Sequence, residues 1–193
     1  SSDSLQSSSR NDFSMPLKDK TTSSENFTKS QSLFVTTVGN VAGLRFCLSE
    51  TQTATPPTSG VCQGGRGPQN GWYSTVPSNF DLSSGDARKT VYLWWANTDT
   101  VKGKTQEIIY DTRAPTISVS NPPNLYSRST SITINFSSQD ELSGLNKTQC
   151  RIDNGAWSPC TASVSANGLS EGSHVFDIGS FDNSQNYFER SLS

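Results

Sequence analysis

The sequence sets out one plan twice. Gly43-Leu44 leads into a strand-like stretch that carries Cys47, and Gly144-Leu145 leads into one that carries Cys150. Leu82-Ser83-Ser84-Gly85 comes before Thr90-Val91-Tyr92, just as Leu169-Ser170-Glu171-Gly172 comes before His174-Val175-Phe176. Asp99 and the Asp182-Asn183 pair then end the two apolar stretches. Repetition of this kind points to a modular array rather than a single enzyme core. At 193 residues, each copy has the length of one small domain.

The residue types inside each copy are those of strands. Leu33 to Val38, Leu44 to Leu48, Thr90 to Ala96 and Gln106 to Tyr110 are rich in β-branched and aromatic side chains, and Phe13 to Leu17 reads as a first short strand. In the second copy Ile117 to Val119, Ser131 to Phe136, Gln149 to Ile152 and His174 to Ile178 follow the same pattern. No stretch keeps a helical period over about ten residues. Ser and Thr supply 54 of the 193 residues, which suits many short strands and turns. The reading is all-β: two tandem immunoglobulin-like β-sandwiches in series. Residues 1–12 form a Ser-rich flexible tail, 13–112 a sandwich with a long Pro/Gly-rich loop from Thr51 to Gly71, and 113–193 a second sandwich. The joint is Asp111-Thr112-Arg113-Ala114-Pro115-Thr116, where Pro115 keeps Ala114 out of the helical region.

Four cysteines fall into two local pairs, Cys47 with Cys62 and Cys150 with Cys160. A zinc site would need all four together, since the chain has one His, so two local disulfides are the favoured reading. Disulfides place the chain outside the reducing cytosol: extracellular, cell-surface or periplasmic. Charge and hydropathy narrow the partners further. Fifteen basic residues against 17 acidic ones, with no basic run longer than Arg88-Lys89, leave no footprint for nucleic acid. No apolar run reaches the roughly 20 residues that membrane insertion by a helix requires. The chain starts on Ser without a signal-peptide pattern, so it reads as part of a longer parent chain.

The chain resembles the bacterial Ig-like repeats of large secreted and cell-surface proteins. The likeness is carried by Tyr110 to Thr116 at the joint, by Cys150-Arg151-Ile152-Asp153-Asn154-Gly155-Ala156-Trp157-Ser158-Pro159-Cys160, and by Gly168 to Phe176. It covers the second half well and the first half, from Leu33 to Thr112, more loosely. The resemblance implies a sandwich fold and an adhesive or fibre-type extracellular role, with neighbouring domains and a host or prey cell-surface glycan or protein as partners. It does not imply a ligand.

Nothing in the sequence assembles a catalytic site. The single His174 has no nucleophile-elbow serine near it, Asp140 and Glu141 are adjacent turn acids, and Gln63-Gly64-Gly65-Arg66-Gly67 lacks the residues of a phosphate cradle. The reading is non-enzymatic, with no cofactor. Asp99, Asp111, Asp140, Glu141 and Asp182 lie near the sandwich ends or the joint, where two or three could converge on calcium. None makes a D-x-D-x-D loop, so they read as turn and strand-capping acids, with no metal site. Asn26, Asn135 and Asn146 stand in N-x-S/T patterns and read as chance in a Ser/Thr-rich chain.

Binding surfaces remain. On the Val91 to Ala96 strand, either Tyr92 and Trp94 or Val91, Leu93 and Trp95 must face away from the core. The loop before it holds Arg66, Gln69, Asn70, Trp72 and Tyr73. The alternative reading is therefore a carbohydrate-binding module on the first domain, with Trp72, Tyr73, Trp94, Trp95, Arg66 and Asn70 as ligand-binding residues. The bland reading is that Trp72 closes one end of the sandwich and the outward aromatics lie under loops. Trp157 is expected to cover the Cys150/Cys160 pair.

Overall fold

The computed structural model describes residues 13–124 and 126–193, so the Ser-rich stretch 1–12 lies outside the described residues. Every named element is a strand. The chain divides into two compact units, Ser1–Tyr110 and Asp111–Ser193. This division falls two residues before the boundary drawn from sequence at 112. Asp111 accounts for the difference, because its carboxylate and its carbonyl are both bonded within the second unit.

The first unit holds β1 (Leu17–Lys18), β2 (Phe27–Thr28), β3 (Ser32–Val35), β4 (Arg45–Ser49), β5 (Asn79–Asp81), β6 (Ala87–Ala96) and β7 (Val101–Tyr110). They pair as a three-stranded sheet, β1-β3-β5, and a four-stranded sheet, β2-β7-β6-β4. The second unit holds β8 (Thr116–Val119), β9 (Ile132–Gln139), β10 (Leu145–Ile152), β11 (Ser158–Pro159), β12 (Ser163–Ala166), β13 (Phe176–Asp182) and β14 (Tyr187–Leu192). These pair as β12-β9-β8 and β11-β10-β13-β14, again three strands and four. Each unit is an immunoglobulin-like sandwich, and the fold class is all-β.

Alternation builds each core. In β9, Ile134 and Phe136 are buried while the residues between them are exposed, the pattern of a strand with one wet face. In β6, Val91, Leu93 and Trp95 enter the first core with Phe46, Leu48, Leu33 and Ile108. Phe13 completes it, lying edge-on to Trp95 at 5.0 Å. Strand β3 stops at Val35, short of the expected Val38, although Val38 still bridges to Ser14. The second core is smaller: Ile117, Phe136, Cys150 and Ile178 form one cluster, and Ile134, Ala166 and Phe176 another.

The units differ in which strand is added to the edge of the four-stranded sheet: β11 beside β10 in the second, β2 beside β7 in the first. β2 runs parallel to β7, with Phe27 opposite Ile109 and Thr28 opposite Tyr110, whereas the other strand pairs are antiparallel. Asp19 anchors the turn before it. Its carboxylate accepts from the Thr21 and Thr22 amides and from the Thr28 hydroxyl, the last at 2.5 Å in a buried position. Burial alone would raise the Asp19 carboxyl, but these hydrogen bonds hold it below its ordinary value.

Candidate functional site

The two cysteine pairs are disulfides, Cys47–Cys62 and Cys150–Cys160. Their settings differ. Phe46 and Leu48 point into the first core, so Cys47 between them points to the outer face of the four-stranded sheet. There the disulfide helps hold the loop from Thr51 to Ser74 against that face. Cys47, Cys62, Trp72 and Ala96 are buried together, with Trp94 and Val101 packed against them, as a small second core outside the sandwich.

This placement corrects the expected aromatic binding surface. Trp72 is fully buried, and its indole Nε1 donates to the Gly60 carbonyl at 3.1 Å. Trp95 is buried in the inner core. Trp94 does belong to the outward set, together with Tyr92, but it lies across Gly103 on the next strand. A Cβ at Gly103 would fall 2.1 Å from the Trp94 ring, so this position has room only for glycine. Trp94 Nε1 also donates to the Gln52 carbonyl at 2.9 Å, which closes the loop over the ring. Tyr73 is half-buried, packs on the inner core, and exchanges backbone hydrogen bonds with Phe46. Arg66 is exposed and pairs with Asp81 at 3.7 Å. Asn70 is exposed at φ 54°, where its carbonyl accepts from the Cys62 amide. The six residues do not form one exposed platform, because the three indoles are spent on packing.

Next to this loop lies a cavity of ≈ 540 Å³. Its lining includes Leu44, Arg45, Ser59, Gln69 and Thr98. The Arg45 guanidinium sits 4.5 Å from the centre of the Trp72 ring. Nothing in the residues around Arg45 marks it, because only the folded loop brings Trp72 beneath it.

In the second unit, Asp111, Asp140 and Asp182 converge: one carboxylate oxygen from each lies within 4.8 Å of the others. Three of the five acids expected near the sandwich ends or the joint thus meet, and Glu141 and Asp99 stay outside the cluster. Asp140 accepts from the Gly144 amide at 2.7 Å and from Ser143. Asp182 accepts from the backbone and side-chain nitrogens of Asn186, both at 2.8 Å. Asn186 also donates to the Asp111 carbonyl and the Ser143 amide to the Asp111 carboxylate, so Asp111 ties the other two segments together. Burial, with Asp111 and Asp140 adding repulsion, pushes the Asp182 carboxyl above its ordinary value against the pull of Asn186. Chemically the trio can share a proton, or it can offer part of the oxygen shell of a hard cation such as calcium.

His174 lies just before β13. Its Nε2 donates to the Ser170 carbonyl at 2.9 Å, and its Nδ1 meets Asp153 at 2.7 Å. A ring that donates from both nitrogens is an imidazolium, and these two bonds raise its pKa above the ordinary value. Asp153 is lowered in turn, first by the His174 bond and then by the Val175 amide. No serine hydroxyl completes a relay here. Trp157 lies under the Arg151 guanidinium at 4.4 Å, and Arg151 bonds Asp177 at 2.7 Å.

The sequence matches no family model. No curated protein matches it. Among solved structures it is similar to the fibronectin(III)-like modules of Clostridium thermocellum CbhA, at 8% identity and a TM-score of 0.44, over 93% of this chain and 90% of that one. At that score the likeness carries no weight of its own, and the assignment of two β-sandwich units rests on the strand pairings.

Proposed function

We propose that this chain is a non-catalytic adhesive or structural module of a bacterial surface or secreted protein of the fibre or adhesin type. One observation carries the reading: the same division into three and four strands occurs twice in succession, and each copy is clasped by its own local disulfide. Repetition of a closed, independently cored unit suits a chain that spans distance or presents a surface. Disulfides in both units support an oxidising location at or beyond the cell surface. Neighbouring domains of a parent chain, and a glycan or protein on another cell, are the partners that such a module would meet.

The carbohydrate-binding alternative centred on Trp72, Tyr73, Trp94 and Trp95 draws no support from the geometry, because the three indoles are covered and Tyr73 packs on the inner core. The test is attachment under flow. Beads coated with the intact chain are passed over cell surfaces and scored for retention, with a hydrolase substrate panel run on the same preparation. Retention that rises with coating density, without turnover, is the expected result. Turnover of any substrate in the panel would overturn the non-catalytic reading. Retention no higher than that of bare beads would remove the adhesive half and leave a spacer.

A further inference from the structure

The cavity beside the Cys47–Cys62 loop has one charged residue in its lining, Arg45. Arg45 is half-buried, and among the described residues its guanidinium meets no carboxylate and no hydrogen-bond acceptor. Arg66, Arg88 and Arg151, by contrast, each face an acid. Arg45 instead lies over the Trp72 ring at 4.5 Å, a cation–π contact that uses none of its N–H donors. A guanidinium with its N–H fork unmatched suits a planar anion, and a carboxylate accepts two parallel N–H bonds from it.

The rest of the cavity narrows the class of anion. Leu44 and Ala96 are buried and give it a carbon floor. Ser59, Gln69 and Thr98 are exposed around it and offer hydroxyl and amide groups. The Gln69 side chain makes no hydrogen bond within the described chain, so both ends of its amide are open to a ligand. Carbon below, hydroxyl and amide at the rim and one cation with no acid in the lining match a molecule with a C–H face, several hydroxyls and one carboxylate.

We propose that this cavity binds a carboxylate-bearing saccharide, with the carboxylate on Arg45 and ring hydroxyls at Gln69 and the Ser59 side. The inference deepens the adhesive reading by naming a ligand class. Its readout is soluble binding rather than retention of beads, so either can fail without the other.

The experiment is calorimetry on the intact chain with four saccharides: trigalacturonate and its neutral galactose trimer, and sialyllactose and lactose. The two acidic sugars separate a uronate from a sialic acid as the source of the carboxylate. A short peptide with a free C-terminal carboxylate is the fifth probe. The expected result is that at least one acidic sugar binds at least about tenfold more tightly than its neutral partner. Arg45→Gln should remove that preference, and Gln69→Ala should weaken binding several-fold while thermal melting stays unchanged. If Arg45→Gln fails to fold, Arg45→Lys decides, because it keeps the charge over Trp72 and loses the planar fork. Equal binding of neutral sugars, full affinity in Arg45→Lys, silence of both acidic sugars, or binding of the peptide alone would each overturn the proposal.

Discussion

The two disulfides sit on matching strands and face opposite ways. Cys47 and Cys150 both lie on the strand that begins at a Gly-Leu pair, and both strands pair with a central strand of a four-stranded sheet. Yet Cys47 points out of its sandwich, while Cys150 joins Ile117, Phe136 and Ile178 inside. The cause is one residue. In β10 the register shifts between Leu145 and Lys147, so Asn146 is an extra residue opposite β13. Side chains along a strand alternate faces, so one inserted residue turns everything beyond it over. In the first unit the disulfide therefore fastens a long loop to the outside of a finished core. In the second it replaces apolar mass that a small core lacks.

The sharpest way to break this contrast is to insert one alanine between Gln149 and Cys150. With the earlier pairs held, Cys150 would move opposite Asp177 and face outward, and Arg151 would enter the core. The second unit should fail to fold, read as loss of its melting transition, while the first unit's transition stays. A folded second unit with Cys150 exposed to alkylation after mild reduction would show that the inward facing of Cys150 is dispensable.

The next effect separates the disulfides themselves. The bonds close loops of 15 and 10 residues. The chain-entropy model makes both worth about 3 kcal/mol, so loop length does not distinguish them. Location does. Cys150→Ala with Cys160→Ala should unfold the second unit outright at physiological temperature, because it also removes core contacts. Cys47→Ala with Cys62→Ala should leave the inner core of the first unit folded and free its loop, seen as proteolysis between Thr51 and Ser74. Equal melting losses in both units would remove the distinction.

Trp72→Ala tests whether the outer cluster of the first unit is a core in its own right. Truncating a buried Trp costs about 3–5 kcal/mol in a true core. A loss in that range, with Trp94 fluorescence shifting to that of a solvated indole, is the expected outcome. A loss well below that range would make the loop a passive cover.

The smallest effects are those of pH on the second unit. The Asp182 carboxyl is raised, so the stability it contributes is present below its ordinary value of 3.8 and is lost as pH rises through its folded value. Asp140→Asn removes one repelling charge and should flatten that loss, in melting curves run from pH 3 to 7 with EDTA present throughout. His174 is raised above 6.5, so its pairing with Asp153 contributes below that value and fades as pH climbs through the folded one. Asp153→Asn should move the His174 titration, followed by NMR, back toward 6.5. A His174 titration at or below the ordinary value in the parent chain would remove the imidazolium.

Much of this was legible in the residues. Ile132 to Phe136 alternates so cleanly that strand and inward face follow together, and the cysteine spacing already favours two local bonds. The facing of Cys150 was not legible, because a bulge leaves no mark in composition: Asn146 is an unremarkable polar residue on a polar strand. The long loop misled for a related reason. Trp72 among glycines reads as an exposed tip, and only Gly103, two strands away from Cys47, shows that a ring is laid across the sheet. Strand β2 is two residues long, too short for any period. The meeting of Asp111, Asp140 and Asp182 joins three turns that local sequence cannot relate.

The locality of the two disulfides also bears on how the chain is made. Four cysteines can pair in three ways, and only one of them keeps each bond inside its own unit. That pairing is also the one that chain order delivers first. Cys62 emerges 15 residues after Cys47, and both are outside well before Cys150 exists to compete. A chain threaded through a membrane from its N-terminal end would thus reach an oxidase one pair at a time. Its covalent pattern would be settled by timing, without an isomerase to correct it.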